Sequence, residues 1–502
     1  MTDTPFDLPS WLRAVMSLDP DGAALEFEGS WLPWRALSAA ADGLDAMLVG
    51  RSLGPGTAVG VVMRNRPGTV RAVAATLAAG RCVVTLSPVV PPAALAEEVR
   101  RLRLPVLVAG PADWRSPDLG GAVAAAGTLG LSLDDGEGPP EVVVAADVAL
   151  GQRSPPRPGV AVQMLTSGTT GAPKRVDLLY SSLAHELVST GSHQVGEPRL
   201  GSGVSVLWAP LVHIGGLRGL LSALVAGRPM ALLERFTVAG WVELVERHRP
   251  RVLSLPPTAM RMVLDAGVAR ESLAGARVVL AGTAPVAPEL AEQFEAVYGI
   301  PVLVVYGATE FAGGVAGWTI GDRRSFGPRK RGSVGRANPG VEVRTVEEDS
   351  GVPVAAGAVG VLEVRGPQLG GPSWVRTTDL ASIDEDGFIW IIGRADDVVI
   401  RGGLKVSPAT VREVLLTHPA VREAAVVGLP DDRLGQVPVA AVEVVDGPAG
   451  TVDPEDLRGF LRQRLAAYQV PVAIRVVESL PRTPSMKVSQ PGVRALFEPP
   501  SS

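Results

Sequence analysis

The chain has 502 residues, 46% of them apolar and 20% charged, with a formal net charge of −5. That length exceeds one ordinary core and points to about three domains or subdomains, and the apolar share is that of a globular protein. Acidic net charge without a long basic run speaks against a nucleic-acid surface, and no apolar stretch reaches the roughly 18 residues of a membrane span.

The N-terminal Met1-Thr2-Asp3-Thr4-Pro5 carries no basic n-region, so no secretory signal is expected. From residue 57 to 110, β-branched runs alternate with Ala/Leu-rich stretches. Thr57–Met63, Arg81–Leu86 and Pro105–Val108 read as strands, and Gly68–Ala79 and Ala93–Leu102 as helices. The single cysteine, Cys82, lies in one of these strands and reads as a small buried hydrophobe. It excludes a disulfide framework and a cysteine zinc site, and it fits a reducing cytoplasm. Asp134–Gly159 is rich in Asp, Gly, Pro and Arg and reads as a surface excursion. The alternation then returns, with strands at Arg251–Leu255, Arg277–Ala281 and Pro301–Val305 and helices at Thr258–Ala266 and Pro288–Tyr298. Continuous apolar strands between helices imply parallel sheets covered on both faces. Asp384–Ile392 reads as a hairpin turning at Asp386-Gly387. Ser407-Pro408 supplies a cap and first-turn proline for a helix, and another helix is expected over Pro454–Ala467. The expected fold class is α/β. A large N-terminal domain of layered, mostly parallel sheets with flanking helices spans residues 1–395, and a small mobile α+β domain spans 396–502.

Lysine usage is uneven. Only four of the 47 basic residues are lysine: Lys174, Lys330, Lys405 and Lys487. Lys330, within Arg329-Lys330-Arg331, reads as a surface charge cluster. The other three stand where a compact point charge suits phosphate or carboxylate oxygens better than a planar fork. Lys174 closes Thr166-Ser167-Gly168-Thr169-Thr170-Gly171-Ala172-Pro173-Lys174, which packs four hydroxyls and two glycines directly behind the apolar run Val160–Leu165. Glycines let backbone N–H groups face a phosphate, hydroxyls donate further bonds, and the lysine neutralises charge. It is not a Walker A loop, because Ala172-Pro173 separate the lysine from the second glycine and Arg175 follows it.

The spacing of this loop resembles the signature of the adenylate-forming (AMP-binding) superfamily, which includes acyl-CoA synthetases, stand-alone adenylation domains and firefly luciferase. Six further stretches resemble that superfamily's motifs in the expected order. They are Pro210-Leu-Val-His213-Ile-Gly-Gly216, Gly282-Thr283-Ala284-Pro285, Tyr306-Gly307-Ala-Thr309-Glu310, Thr377-Thr378-Asp379, Gly393-Arg394-Ala-Asp396-Asp397 and Pro481-Arg-Thr-Pro-Ser-Met486-Lys487. The likeness runs from about residue 20 to 495. Taken singly, Glu310 and Asp379 would read as solvated acids and His213 as a satisfied core histidine; the ordered set argues otherwise.

The resemblance implies an acid–thiol ligase using ATP, Mg²⁺ and CoA. Attack of a carboxylate on the α-phosphate of ATP brings two anions together, so catalysis is mostly positioning and charge neutralisation. By that likeness Lys487 bridges carboxylate and α-phosphate, Glu310 holds Mg²⁺ and Thr309 bonds a phosphate oxygen. Tyr306 stacks on adenine beside Gly282, Thr283 and Ala284, Asp379 and Arg394 hold the ribose, and His213 lies near the carboxylate or the later thioester path. Asp396 is the hinge. After a swing of the small domain, the Gly402-Gly403 loop faces the thiol. Lys405 on that loop either contacts CoA phosphates or is simply solvated.

Three positions depart from the superfamily's usual glycine: Arg175, Thr378 and Met486. The connector between Arg365-Gly-Pro367 and Trp374 is also shorter than its usual Gly-Tyr-rich form. No acidic residue stands near His213 to pair an α-ammonium, so the expected substrate is a fatty or aryl carboxylic acid. Arg218 would ordinarily point out of its helix; the other reading has it pair a second polar group on the acid. The reading for the whole chain is activation of such an acid to an acyl-adenylate and transfer to CoA. A carrier-protein thiol (on an acyl carrier protein) or an amine is the alternative acceptor, and nucleotide binding without turnover the alternative of another class.

Overall fold

The computed structural model describes residues 4–145, 154–166, 174–193, 196–395, 397–402, 404–445, 452–483 and 487–498. Five sheets organise them. The largest has seven strands in the order Glu141–Val144, Leu129–Ser132, Val106–Ala109, Ala58–Val62, Cys82–Leu86, Val160–Thr166 and Lys174–Leu179. Its five inner strands are parallel and its two edge strands antiparallel. Ala58–Val62 and Cys82–Leu86 are buried at every residue, as strands covered on both faces must be. The Pro67–Ala78 helix is also buried along its whole length. Cys82 is inert in this setting, since burial pushes its thiol up to about 12.

Part of the expected surface excursion at Asp134–Gly159 is the edge strand Glu141–Val144, whose valines were masked by flanking turn residues.

A five-stranded sheet follows: Val252–Ser254, Val278–Ala281 and Val302–Ala308 run parallel, then Gly313–Gly317 and Arg336–Ala337 run antiparallel. The helices Pro257–Asp265 and Pro288–Tyr298 close its core through Met260, Val263, Leu290 and Phe294. A smaller sheet brings Ser205–Leu207 and Met230–Leu232 alongside the N-terminal hairpin Ala23–Phe27 and Ser30–Pro33. The sheet over residues 342–394 is antiparallel throughout, which the helix–strand alternation did not foretell.

The fifth sheet lies in residues 399–477, around the long hairpin Val421–Asp431 and Gly435–Val444. Val411, Leu415, Leu457 and Leu461 build a core of its own beneath two helices. The helix expected over Pro454–Ala467 stops at Arg462, after which Arg464 and Leu465 bond back to Leu461.

Lys330 is not part of a loose surface cluster. Its ammonium donates to Asp384 and Asp386 and lies 5.4 Å above the Phe388 ring, so it pins the turn of the expected hairpin.

Candidate active site

Thr166 ends one strand and Lys174 begins the next, and the two are partners across the antiparallel pair. The hydroxyl- and glycine-rich loop is therefore the connection at one end of the seven-stranded sheet. Ser167, Gly168, Thr169, Thr170 and Gly171 lie outside the described residues, as does the Thr166 side chain. Arg175 is the second residue of the strand that follows this connection. Its guanidinium pairs with Glu98 and donates to Thr85 O at 3.2 Å, so the first departure packs against the sheet.

The strand Val302–Ala308 carries Tyr306 and Gly307 into a short turn of Thr309, Glu310 and Phe311. The turn reverses through Ala312 at φ +59° and Gly313 at φ +144°, both outside the ordinary range for a side chain-bearing residue. Gly307 must be glycine for space: a Cβ there would lie 2.0 Å from Gly313 O, where the strand pair shifts register. Behind the turn stand two buried polar side chains. Gln368, 2% exposed, donates to Phe311 O at 2.9 Å and Gly314 O at 3.1 Å. Glu186 on the Tyr180–Ser189 helix, 1% exposed, accepts from Gly314 N and from the Arg218 guanidinium. Gln368 belongs to the shortened connector, which is a single turn at Pro367–Leu369 between paired strands.

Glu310 itself is exposed, and among the described residues its carboxylate has no hydrogen-bond or ion-pair partner. No group of three or more His, Cys, Asp or Glu side chains is gathered for a metal among the described residues. One free carboxylate fits Mg²⁺ held mainly by substrate phosphates, which is how that ion is usually bound.

Asp379 sits opposite Arg394 in the antiparallel sheet, and the Tyr306 hydroxyl donates to its Oδ2. Burial, with the Asp379 charge adding, pushes the phenol well above its ordinary range, so Tyr306 stays neutral. Thr377 orients this corner, accepting from Asp379 N at 3.0 Å while donating to Leu362 O at 2.8 Å. Thr378 is exposed, and its carbonyl accepts from Ala395 N at 2.7 Å. Gly282 and Ala284 flank Thr283 just past Val278–Ala281. A Cβ on Gly282 would meet Val305 O at 2.8 Å, and Thr283 holds a left-handed φ of +66°. Strained backbone of this kind is concentrated at ligand sites.

His213 caps the Ile214–Val225 helix, and its Nε2 is buried with no partner among the described residues. Burial, then the charge of Lys487, lowers its pKa to about 4, which leaves the ring neutral at pH 7. Gly215, in the next turn, approaches Thr283, so this helix start and the Gly282–Ala284 turn form one wall.

Lys487 arrives from the other end of the chain. Its ammonium is held below the usual lysine range by the protein around it; Glu310 opposes that shift and Arg394 adds to it. Residue 487 is nonetheless exposed overall. The Lys487 carbonyl accepts from Thr483 N at 2.7 Å. Arg482 reaches back to Thr258 Oγ1 at 3.1 Å and to Glu443 at 3.1 Å, tying this loop to the Pro257–Asp265 helix.

The structure thus gathers Lys487, Glu310, Thr309, His213, Arg394, Tyr306 and Asp379 around one cleft. Gly402 stands on a separate hairpin, at φ +57° against Leu434, and Lys405 pairs by its backbone with Ile400. Asp396, Gly403, Met486 and the Lys405 side chain lie outside the described residues. Arg218 does not point out into solvent: it turns inward to Glu186. Sequence reasoning missed Glu186 and Gln368 altogether, because a buried polar pair has no local spacing signal.

The family model for the AMP-binding enzyme matches residues 12–372, and that for the AMP-binding enzyme C-terminal domain matches residues 411–487. The 2-succinylbenzoate–CoA ligase of Bacillus velezensis is 30% identical over 96% of each chain. The sulfoacetate–CoA ligase of Cupriavidus necator is 31% identical over 96% of this chain and 94% of its own. Among solved structures, o-succinylbenzoate coenzyme A synthetase from Bacillus subtilis in complex with ATP and magnesium ion superposes with a TM-score of 0.78. It is 25% identical over 97% of this chain and 99% of that one. The chain belongs to the AMP-binding enzyme family and is an acid–thiol ligase of the AMP-forming kind.

Proposed function

We propose that this ligase activates a carboxylic acid lacking an α-ammonium, aryl or aliphatic, to its acyl-adenylate and passes the acyl group to CoA. The observation that carries the reading is the meeting of Lys487 with Glu310, Arg394 and His213 in one cleft whose other end is the Tyr306–Asp379 pair. The nucleoside lies at the Tyr306–Asp379 end, with Asp379 accepting from the ribose hydroxyls and Arg394 beside it. Glu310 reaches Mg²⁺ on the phosphates, an ion that spreads their charge when bound. Lys487 stands between the incoming carboxylate and the α-phosphate, where a single ammonium offsets the repulsion of two anions. His213, neutral and without a charge to compete for the carboxylate, packs beside it. Residues 1–395 and 396–502 act as two domains hinged at Asp396, and the Gly402-Gly403 loop with Lys405 serves the thiol step.

Pyrophosphate release from Mg-ATP, across aryl and short to long aliphatic acids with and without CoA, tests this. Release that depends on the acid and yields acyl-CoA supports it. Release indifferent to CoA would move the acceptor to a carrier thiol or an amine, and no release with any acid would remove the reading.

A further inference from the structure

Arg218 lies one turn inside the helix that His213 begins, on the stripe it shares with Gly215 and Ser222. Gly215 on that stripe faces Thr283, and Glu186, the partner of Arg218, lies against Gly313 and Gly314. Arg218 therefore stands between the acid-side wall and the turn that carries Glu310. Only its Nε is used, in the bond to Glu186. Among the described residues its two terminal nitrogens have no partner, and a quarter of the side chain stays accessible.

A guanidinium whose vacant donors face accessible space can meet a substrate acceptor, and a site that hydrogen-bonds a substrate group rejects analogues lacking it. The charge of Arg218 is already balanced by Glu186, which is 1% exposed. A second carboxylate on the substrate would thus meet a neutral pair, while a neutral acceptor such as a carbonyl oxygen would meet free N–H groups.

We propose that Arg218, held by Glu186, is a specificity-determining residue that selects acids bearing a neutral hydrogen-bond acceptor beyond the reacting carboxylate. This deepens the function proposed above and rests on it.

The test compares near-isosteric pairs, 4-acetylbenzoate against 4-isopropylbenzoate and 6-oxoheptanoate against 6-methylheptanoate, with terephthalate as the charged control. The proteins are wild type and Arg218→Met/Glu186→Gln, which removes both charges so that no lone buried ion remains. Retained stabilisation of the variant by Mg-ATP shows that it folds. Wild type is expected to favour the acceptor-bearing member of at least one pair by about tenfold in kcat/KM, and to use terephthalate less well than 4-acetylbenzoate. The double variant should bring the pair ratio close to one. Equal use of both members by wild type, a ratio unchanged in the variant, or preference for terephthalate would overturn the inference while leaving the ligase reading intact. Adenylation of none of these acids, nor of any in the broader panel, would take down both.

Discussion

Gln368→Met tests whether the compact connector supports the turn that carries Thr309 and Glu310. Methionine keeps the volume but removes the two N–H donors that reach Phe311 O and Gly314 O. Gly314 O keeps a second donor, Asn338 Nδ2 at 3.1 Å, so its loss is that of one ordinary bond, about 1 kcal/mol. Phe311 is 4% exposed, and its carbonyl would lose that donor in a nearly dry setting, at a cost of about 1–3 kcal/mol. The sum is about 2–4 kcal/mol, drawn from the turn itself and from the packing of the strand Gly313–Gly317. Thermal unfolding should fall by several degrees. Because misplacement of reacting groups by about 1 Å can cost on the order of a hundredfold, kcat/KM for ATP in acid-dependent pyrophosphate exchange should fall by at least about tenfold. Loss of stability with adenylation kinetics unchanged would show that Gln368 is only a packing residue, and no change in either would refute the reasoning.

Lys487→Ala should lower acid-dependent pyrophosphate release by on the order of a thousandfold, since removing a charge about 4 Å from its partners at an intermediate dielectric costs about 4 kcal/mol, while ATP-induced stabilisation persists. The ammonium form is the active one and its pKa is lowered, so adenylation should decline as pH rises through a value below the ordinary lysine range; a basic limb at or above that range would contradict the environment described. His213 titrates at about 4 in the folded protein, so the unfolded chain binds its proton first. Stability should drop as pH falls from about 6.5 toward about 4, and His213→Gln should flatten that slope in unfolding midpoints measured across the range. Gly307→Ala places a Cβ 2.0 Å from Gly313 O and should give insoluble or inactive protein; a soluble, active variant would mean that the bulge is not as tight as described.

The candidate site was legible in the sequence mainly because its residues fall in short motifs that resemble those of a known family in their order. The apolar run Val160–Leu165 before the loop is a strand, whereas Asp379 and Lys487 sit among Thr, Arg, Ser and Pro residues with no apolar contrast to mark them, and the close approach that requires Gly307 shows only in the fold. What stayed hidden depends on partners far apart in sequence. Glu186 meets Arg218 across 32 residues, and Gln368 reaches Phe311 across 57. Neither carries a periodicity that would reveal a buried polar contact, and an arginine on a helix ordinarily faces water. Lys330 was misread for the same reason, its two aspartates lying 54 and 56 residues away. The antiparallel sheet of residues 342–394 escaped because parallel and antiparallel pairing share one residue alphabet.

The most direct measurement is product identification in a quenched reaction of the whole protein with Mg-ATP and an accepted acid, once without CoA and once with it. Acyl-adenylate and pyrophosphate in the first, and acyl-CoA with AMP in the second, are the expected products. ADP and phosphate, or acyl-adenylate that persists unchanged when CoA is added, would contradict the account.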